Sequence, residues 1–167
     1  MVHINFLVVV LTALIPSIVG FIWYHPKVMG TAWMKESGVN PDDPHSRSMA
    51  VTFGVSILLS VLLAGSMLPI TIHQMGLTSM LMGEPSLTDP NSELSKTLAG
   101  LLEKYGQNFR TFKHGALHGF MTSIFLMLPI LGTNALFERR SWAYIAVNAA
   151  YWAVTLTIMG GIICAFA

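Results

Sequence analysis

The sequence predicts an all-α membrane protein in which four transmembrane helices form one bundle. The first observation is composition, since 53% of the 167 residues are hydrophobic and only 10% are charged, whereas soluble domains average about 25% charged. The second is that four runs of about 20 apolar residues, the length that crosses a bilayer, hold none of the nine Lys and Arg residues. These runs lack the period-two alternation of a barrel strand, so we expect helices.

The four spans belong to a single integral membrane domain, residues 1–167. The predicted spans are residues 4–24, 49–72, 116–137 and 142–167. Asp43 and Pro44 are expected to cap the start of the second span. The connection between the third and fourth spans is only "ERRS", which forces these two spans into an antiparallel hairpin.

Two further helices are predicted outside the spans. Pro26 suits a helix start and Gly38 a C-terminal cap, which predicts a short interfacial helix after the first span. The long connection before the third span predicts an amphipathic helix with Asp89 as N-cap, Pro90 next and Gly106 as C-cap. Its apolar stripe is Leu94, Leu98, Leu101, Leu102 and Tyr105. We expect this helix on the membrane or over the bundle end, with docking to a partner protein as the alternative.

The spans divide the polar residues between two sides of the membrane. Side A is defined by the first and third connections, and side B by both termini and the long connection. The basic residues of side A are Lys27, Lys35, Arg47, Arg139 and Arg140, and those of side B are Lys96, Lys104, Arg110 and Lys113. The denser charge near span ends on side A favours an orientation with side A cytoplasmic and both termini outside.

Small residues recur at three-to-four spacing along the fourth span and predict close helix packing. This stripe comprises Ala146, Ala150, Ala153, Thr157, Gly160, Gly161 and Cys164. The second span offers Ser56, Ser60 and Ala64 at similar spacing. Small residues allow two backbones to approach in lipid, so we expect the two faces to contact each other or a second subunit.

Polar and aromatic residues within or beside the spans predict helix contacts and membrane anchors. Asn134 and Asn148 are amides inside spans, where each needs a hydrogen-bond partner on a neighbouring helix. Trp23, Tyr24 and Trp33 lie where an apolar helix meets the headgroups, a position that favours aromatic anchors.

The six histidines raise the hypothesis of a metal or haem site. His25 and His45 fall on side A, and the others, His3, His73, His114 and His118, fall on side B. In "HGALH", His114 and His118 lie four residues apart on one helix face, where they can share a metal that His3 or His73 completes. Haem needs axial histidines deep in two helices, and only His118 is more than a turn inside a span. The alternative is that these histidines are interfacial side chains without a ligand.

Other chemistry is not indicated by the sequence. A net charge of +1 does not indicate the strongly basic surface that nucleic-acid binding requires. A single cysteine, Cys164, excludes an internal disulfide and a multi-thiolate metal site. No phosphate-binding loop, GxSxG motif or pair of carboxylates within a span occurs, so we expect neither an enzyme nor a bound cofactor.

Two blocks of the sequence resemble a known family. "GFIWYHPKVMGTAWM" is similar to the Gly-x-x-Trp-Tyr-x-Pro-x-x-x-Gly-x-x-Trp signature of a small bacterial membrane family catalogued as a domain of unknown function. "LPILGTNALFERRSWAYIAVNAAYW" resembles that family's second block, with Asn134, Arg140, Trp142 and Asn148 at matching places. The resemblance covers nearly the whole chain and implies four transmembrane helices in a bacterial cytoplasmic membrane, but it implies no activity.

Three functional hypotheses follow from these observations. The primary hypothesis is a non-enzymatic membrane protein that serves as an accessory or assembly subunit of a larger complex, or forms a homo-oligomer in the lipid bilayer. The second is a transporter-like protein that binds a small molecule or lipid in a pocket lined by the tryptophans, Asn134 and Asn148. The third is a metal- or haem-binding membrane protein that uses the side-B histidines.

Overall fold

A computed structural model describes residues 3–40 and 48–167, and every regular element in these two segments is helical. The predicted all-α membrane fold is therefore confirmed. The helices long and apolar enough to cross a membrane are Phe6–Trp23, Met49–Thr71, Phe112–Phe137 and Trp142–Phe166. The predicted cap at Asp43 and Pro44, together with His45 and Arg47, lies outside the described residues.

Prolines interrupt two of the four spans. The first span consists of Phe6–Thr12 and Ile15–Trp23, separated by a turn just before Pro16. Proline lacks the N–H that would continue the helical ladder. The third span consists of Phe112–Thr122, a π-helical turn and Leu128–Phe137, and Pro129 again follows the irregular turn.

The interfacial helix after the first span has the predicted ends. It begins with a π-helical turn, Pro26–Gly30, and continues as Thr31–Ser37. Gly38 ends it in the left-handed conformation, with φ of 70°. Gly30 is also required, because a Cβ at this position would overlap the carbonyl oxygen of Tyr24.

The long connection contains three helices, Gln74–Met80, the 3₁₀ turn Pro85–Thr88 and the amphipathic helix Glu93–Tyr105. The predicted start at Asp89 and Pro90 is wrong by three residues. Ser92 caps the helix instead, since its Oγ accepts the N–H of Ser95 at 3.1 Å. Asp89 lies in the turn before the helix, where its Oδ1 accepts the backbone N–H of Asn91 at 2.8 Å.

The core lies where the first, second and fourth spans meet. Met67 of the second span and Leu156, Met159 and Ile163 of the fourth are fully buried. Ala64 joins this cluster, so the second and fourth spans do pack together, but large side chains fill most of their contact. The outer faces of the spans expose apolar side chains, as lipid-facing helices do.

The closest helix contact joins the third and fourth spans at three glycines. A Cβ on Gly115 would overlap the carbonyl oxygen of Gly160, and a Cβ on Gly119 would overlap that of Leu156. The glycines of the fourth span therefore pack on the third span, whereas the sequence pointed to the second span or another subunit. The reason is that Gly115 and Gly119 lack a Cβ, so the backbone of the fourth span approaches them more closely than it could approach the Ser and Ala residues of the second span.

The rest of the small-residue stripe becomes more exposed toward side A. Gly161 packs on the ring of Phe112, and Cys164 is buried. Thr157, Ala153 and Ala150 are half-buried, and Ala146 is exposed. The close packing of this small-residue stripe is thus confined to the side-B half of the fourth span.

Candidate metal centre

Three histidines converge at the side-B end of the bundle. One ligand nitrogen from each of His73, His114 and His118 lies within 4.8 Å of the other two. The Nε2 atoms of His73 and His114 are 2.8 Å apart. His73 is exposed and the other two are half-buried, so the rest of the chain does not enclose the cluster.

The third span supplies two of the imidazoles from its first two turns. Thr111 caps this helix by accepting the N–H of His114 at 3.3 Å. The four-residue spacing then places His118 next to His114 on the same helix face, with ring centroids 4.5 Å apart in an edge-to-face contact. Gly115 and Gly119 lie beside these histidines and hold the same helix against the fourth span.

The segment before the third span is anchored to the end of the fourth. The Nε of Arg110 donates to the carbonyl of Cys164 at 2.8 Å, and its Nη2 donates to that of Ala167 at 2.5 Å. These bonds satisfy carbonyls at a helix C-terminus, where a cation is also electrostatically favourable. Phe109 has a left-handed backbone conformation, with φ of 63°, and its carbonyl oxygen accepts a hydrogen bond from the Cys164 thiol at 3.2 Å. The centroid of its ring lies 5.0 Å from that of His114.

His73 is held by its two neighbours in sequence. Ile72 is fully buried in the core. Gln74 donates from Nε2 to the carbonyls of Tyr105 and Asn108, at 3.1 and 2.8 Å. His73 is thereby fixed between the end of the second span and the end of the amphipathic helix, with its ring centroid 4.9 Å from each of the other imidazoles.

The spacing of the three imidazoles suits a transition-metal ion. Zinc binds histidine nitrogens at about 2.0–2.1 Å in a tetrahedron, which places neighbouring ligand nitrogens about 3.3 Å apart. The clustered nitrogens lie within 4.8 Å of one another, and the two Nε2 atoms at 2.8 Å are closer than this, so the rings must turn to place all three nitrogens on one ion. Within residues 3–40 and 48–167, neither His3 nor a carboxylate joins the cluster. Of the predicted ligands, the structure brings together His73, His114 and His118 and leaves His3 apart.

A second feature is a cleft of about 680 Å³ on side A, bordered by the first, second and fourth spans. Asn148, Trp33 and Trp152 line it, as do Tyr24 and Tyr151. The Tyr24 hydroxyl donates to Asn148 Oδ1 at 3.0 Å, so this predicted membrane anchor is also a helix contact. Asn148 in turn donates from Nδ2 to the carbonyl of Tyr144 at 2.8 Å.

The other predicted polar and aromatic residues lie away from the cleft. Trp23 donates its indole N–H to the carbonyl of Val147 at 3.2 Å and so ties the first span to the fourth. Trp142 is 75% exposed at the start of the fourth span. Asn134 is exposed on the third span and does not line the cleft.

Sequence reasoning did not single out the residues that support the histidines. Gln74, Phe109 and Arg110 act through contacts between distant segments, which no local pattern reveals. Gly115 and Gly119 did carry a signal, because two glycines four residues apart in an apolar helix are typical of close helix packing.

A family model described as "Protein of unknown function (DUF1761)" matches residues 7–164. This range includes all three clustered histidines, every residue named in the cleft, the second and third spans, and all but the outermost residues of the first and fourth spans. No curated protein and no solved structure matches the chain.

Proposed function

Since the chain belongs to the DUF1761 family, whose function is unknown, we propose a function from its own geometry: it binds a divalent transition-metal ion through His73, His114 and His118. The observation that supports this most strongly is that three imidazoles from two separate elements place their nitrogens within 4.8 Å of one another. Imidazole ligands suit zinc, copper, nickel and iron, and three neutral histidines with an open position are a known zinc arrangement.

The proposed role is binding without catalysis. No carboxylate of the described residues joins the cluster, so it holds no acidic side chain that could act as general base or acid beside a metal-bound water. We further propose that the protein resides in a bacterial cytoplasmic membrane with side A cytoplasmic, by the charge distribution of its connections. The histidines then face the exterior, where they would capture an ion from outside the cell.

Metal analysis of purified protein tests this function. The untagged wild type, incubated with zinc in mild detergent and desalted, is expected to retain one zinc per chain. A variant with alanine at all three clustered positions is expected to retain none. The matched control is His25→Asn on side A, because asparagine preserves the N-cap that His25 Nδ1 provides to the Lys27 N–H. A wild type with no more zinc than the triple variant would refute the proposal.

A second candidate function is that of a homo-oligomer or of a subunit in a larger membrane complex. The observation in its favour is Asn134, whose exposed amide makes no hydrogen bond within the described part of the chain. An amide facing lipid is costly, and a helix from a second copy would satisfy it.

We expect Asn134→Leu to dissociate an oligomer of the wild type, because the variant removes the amide that would bond across the interface. The mass of the protein–detergent complex, measured by light scattering, checks this. The control is Gly132→Ala on the same helix, where a Cβ meets only Ile145 Cγ2 at 4.0 Å. A wild type with the mass of a single chain would contradict the oligomer hypothesis, and an oligomer that persists in Asn134→Leu would exclude this amide from the interface.

A further inference from the structure

The side-A cleft has the size and depth of a ligand site within the membrane. Its volume of about 680 Å³ falls in the range of small-molecule pockets, about 300–1,000 Å³. The second span lines it from Met49 to Leu63, a rise of about 20 Å along the helix. The cleft therefore extends from the side-A interface toward the middle of the bilayer, and a molecule dissolved in the membrane can fill it.

Aromatic rings form one wall of the cleft. Tyr24 lies 5.1 Å from both Trp33 and Tyr151, and Tyr151 lies 5.0 Å from Trp152, measured between ring centroids. These four rings come from the first span, the interfacial helix and the fourth span, so they form a continuous aromatic surface. Rings prefer offset-stacked or edge-to-face contact with other rings, so this wall favours a flat ligand over a flexible acyl chain.

The cleft contains several hydrogen-bond donors that are free. Of its three tyrosines, Tyr24 donates to Asn148 and Tyr151 donates to the Pro16 carbonyl at 2.8 Å. The Tyr144 hydroxyl makes no hydrogen bond within the described residues. Within the part of the chain that the structure describes, the indole N–H groups of Trp33 and Trp152 make no hydrogen bond. An amide nitrogen carries two N–H donors, and Asn148 uses one of them for the Tyr144 carbonyl.

The charge of the cleft limits its ligand further. None of its described lining residues is Asp, Glu, Lys, Arg or His. A charged headgroup would lose its hydration there without gaining an ion pair, which is costly. A ligand that fits is therefore uncharged, carries acceptor oxygens for the free donors and is flat where it meets the aromatic wall.

We propose that this cleft binds a membrane-soluble molecule with an uncharged, carbonyl-bearing ring on a hydrocarbon tail, a quinone by chemical class. The ring stacks on the aromatic wall, its carbonyl oxygens accept from the Asn148 amide and the Trp33 indole, and the tail lies along the apolar residues of the second span. This site is on the opposite side of the membrane from the histidine cluster and does not depend on metal binding there.

Thermal stability with added ligand tests the proposal on the full chain in detergent. Decyl-benzoquinone is expected to raise the unfolding midpoint in a saturable manner, since a ligand that binds only the folded state stabilises it. Decyl acetate has a tail and a carbonyl but no ring, and dioleoylglycerol supplies the ester carbonyls of a glycerolipid. Neither should shift the midpoint. Equal stabilisation by either compound, or no saturable shift with the quinone, would overturn the proposal.

Matched variants locate the site. Asn148→Leu and Trp33→Phe are each expected to weaken quinone binding roughly tenfold, the effect of losing about one hydrogen bond. Trp33→Phe keeps an aromatic ring and so isolates the indole N–H. Asn134→Leu and Trp142→Phe change the same residue types outside the cleft and should leave the affinity unchanged. If Asn148→Leu unfolds the protein, the comparison of Trp33→Phe with Trp142→Phe remains as the test. A quinone affinity of Trp33→Phe equal to that of Trp142→Phe would reject the site.

Discussion

Replacing Gly119 with alanine is expected to lower the free energy of unfolding by about 3 kcal/mol, the scale of forcing extra atoms into a packed core. The added Cβ would overlap the carbonyl oxygen of Leu156 and lie 3.1 Å from the Cα of Thr157. Both are backbone atoms of the fourth span, so no side-chain rotation relieves the overlap. The third and fourth spans must separate, and the close backbone contacts at Gly115, Gly119 and Gly160 are lost.

Reversible unfolding in mixed micelles measures this loss, and the third span provides its own control. Gly132→Ala adds the same methyl group at a position where the nearest atom, Ile145 Cγ2, is 4.0 Å away. Alanine also favours helix, so this control should be neutral or slightly stabilising. If Gly119→Ala is no more destabilising than Gly132→Ala, then the third and fourth spans do not depend on glycine at position 119 for their packing.

His114→Ala is expected to reduce zinc affinity by at least about 100-fold, because even the loss of an outer partner of a metal ligand costs about 10–100-fold. His114 contacts both other imidazoles, with ring centroids 4.9 Å from that of His73 and 4.5 Å from that of His118. Without it, two imidazoles remain, too few for the zinc site of three protein ligands plus water.

Competition with a chromophoric zinc chelator measures the affinity, and His3→Ala is the matched comparison. His3 lies on the same side of the membrane by the chain order and was the alternative to His73 in the sequence prediction, yet it is not part of the cluster. Its removal should leave the affinity unchanged. A loss with His3→Ala as large as with His114→Ala would show that zinc binds elsewhere.

The number and limits of the spans could be predicted because lipid imposes a strict length and composition on each. The clearest difference is the third span, which begins at Phe112 rather than residue 116. Lys113 and His114 are too polar for the apolar run, but a capped helix can extend beyond the hydrocarbon into the headgroup region. Composition thus located the membrane-embedded segment but not the end of the helix.

The histidine cluster could be predicted only in part. The spacing of His114 and His118 is a local property of one helix, and the sequence shows it directly. The choice between His3 and His73 depends on where two other chain segments lie. It is decided by distant contacts such as those of Gln74 with Tyr105 and Asn108.

The same limit applied to the two amides. Asn134 and Asn148 are both polar residues in apolar helices, and nothing in their local sequence separates them. The structure does, since Asn148 accepts the Tyr24 hydroxyl and Asn134 is exposed. Which face of a helix is covered depends on its neighbours, and in membranes apolar residues occupy both faces, so periodicity gives little guidance.

X-ray absorption spectroscopy of the zinc-loaded wild type reports the atoms bound to the ion, so it tests whether His73, His114 and His118 are the ligands. The account predicts three imidazole nitrogens at about 2.0–2.1 Å from zinc, with the remaining position filled by water. In the variant that lacks all three clustered histidines, this imidazole signature should disappear. A zinc ion surrounded only by oxygen ligands, or a spectrum identical in wild type and variant, would contradict the account.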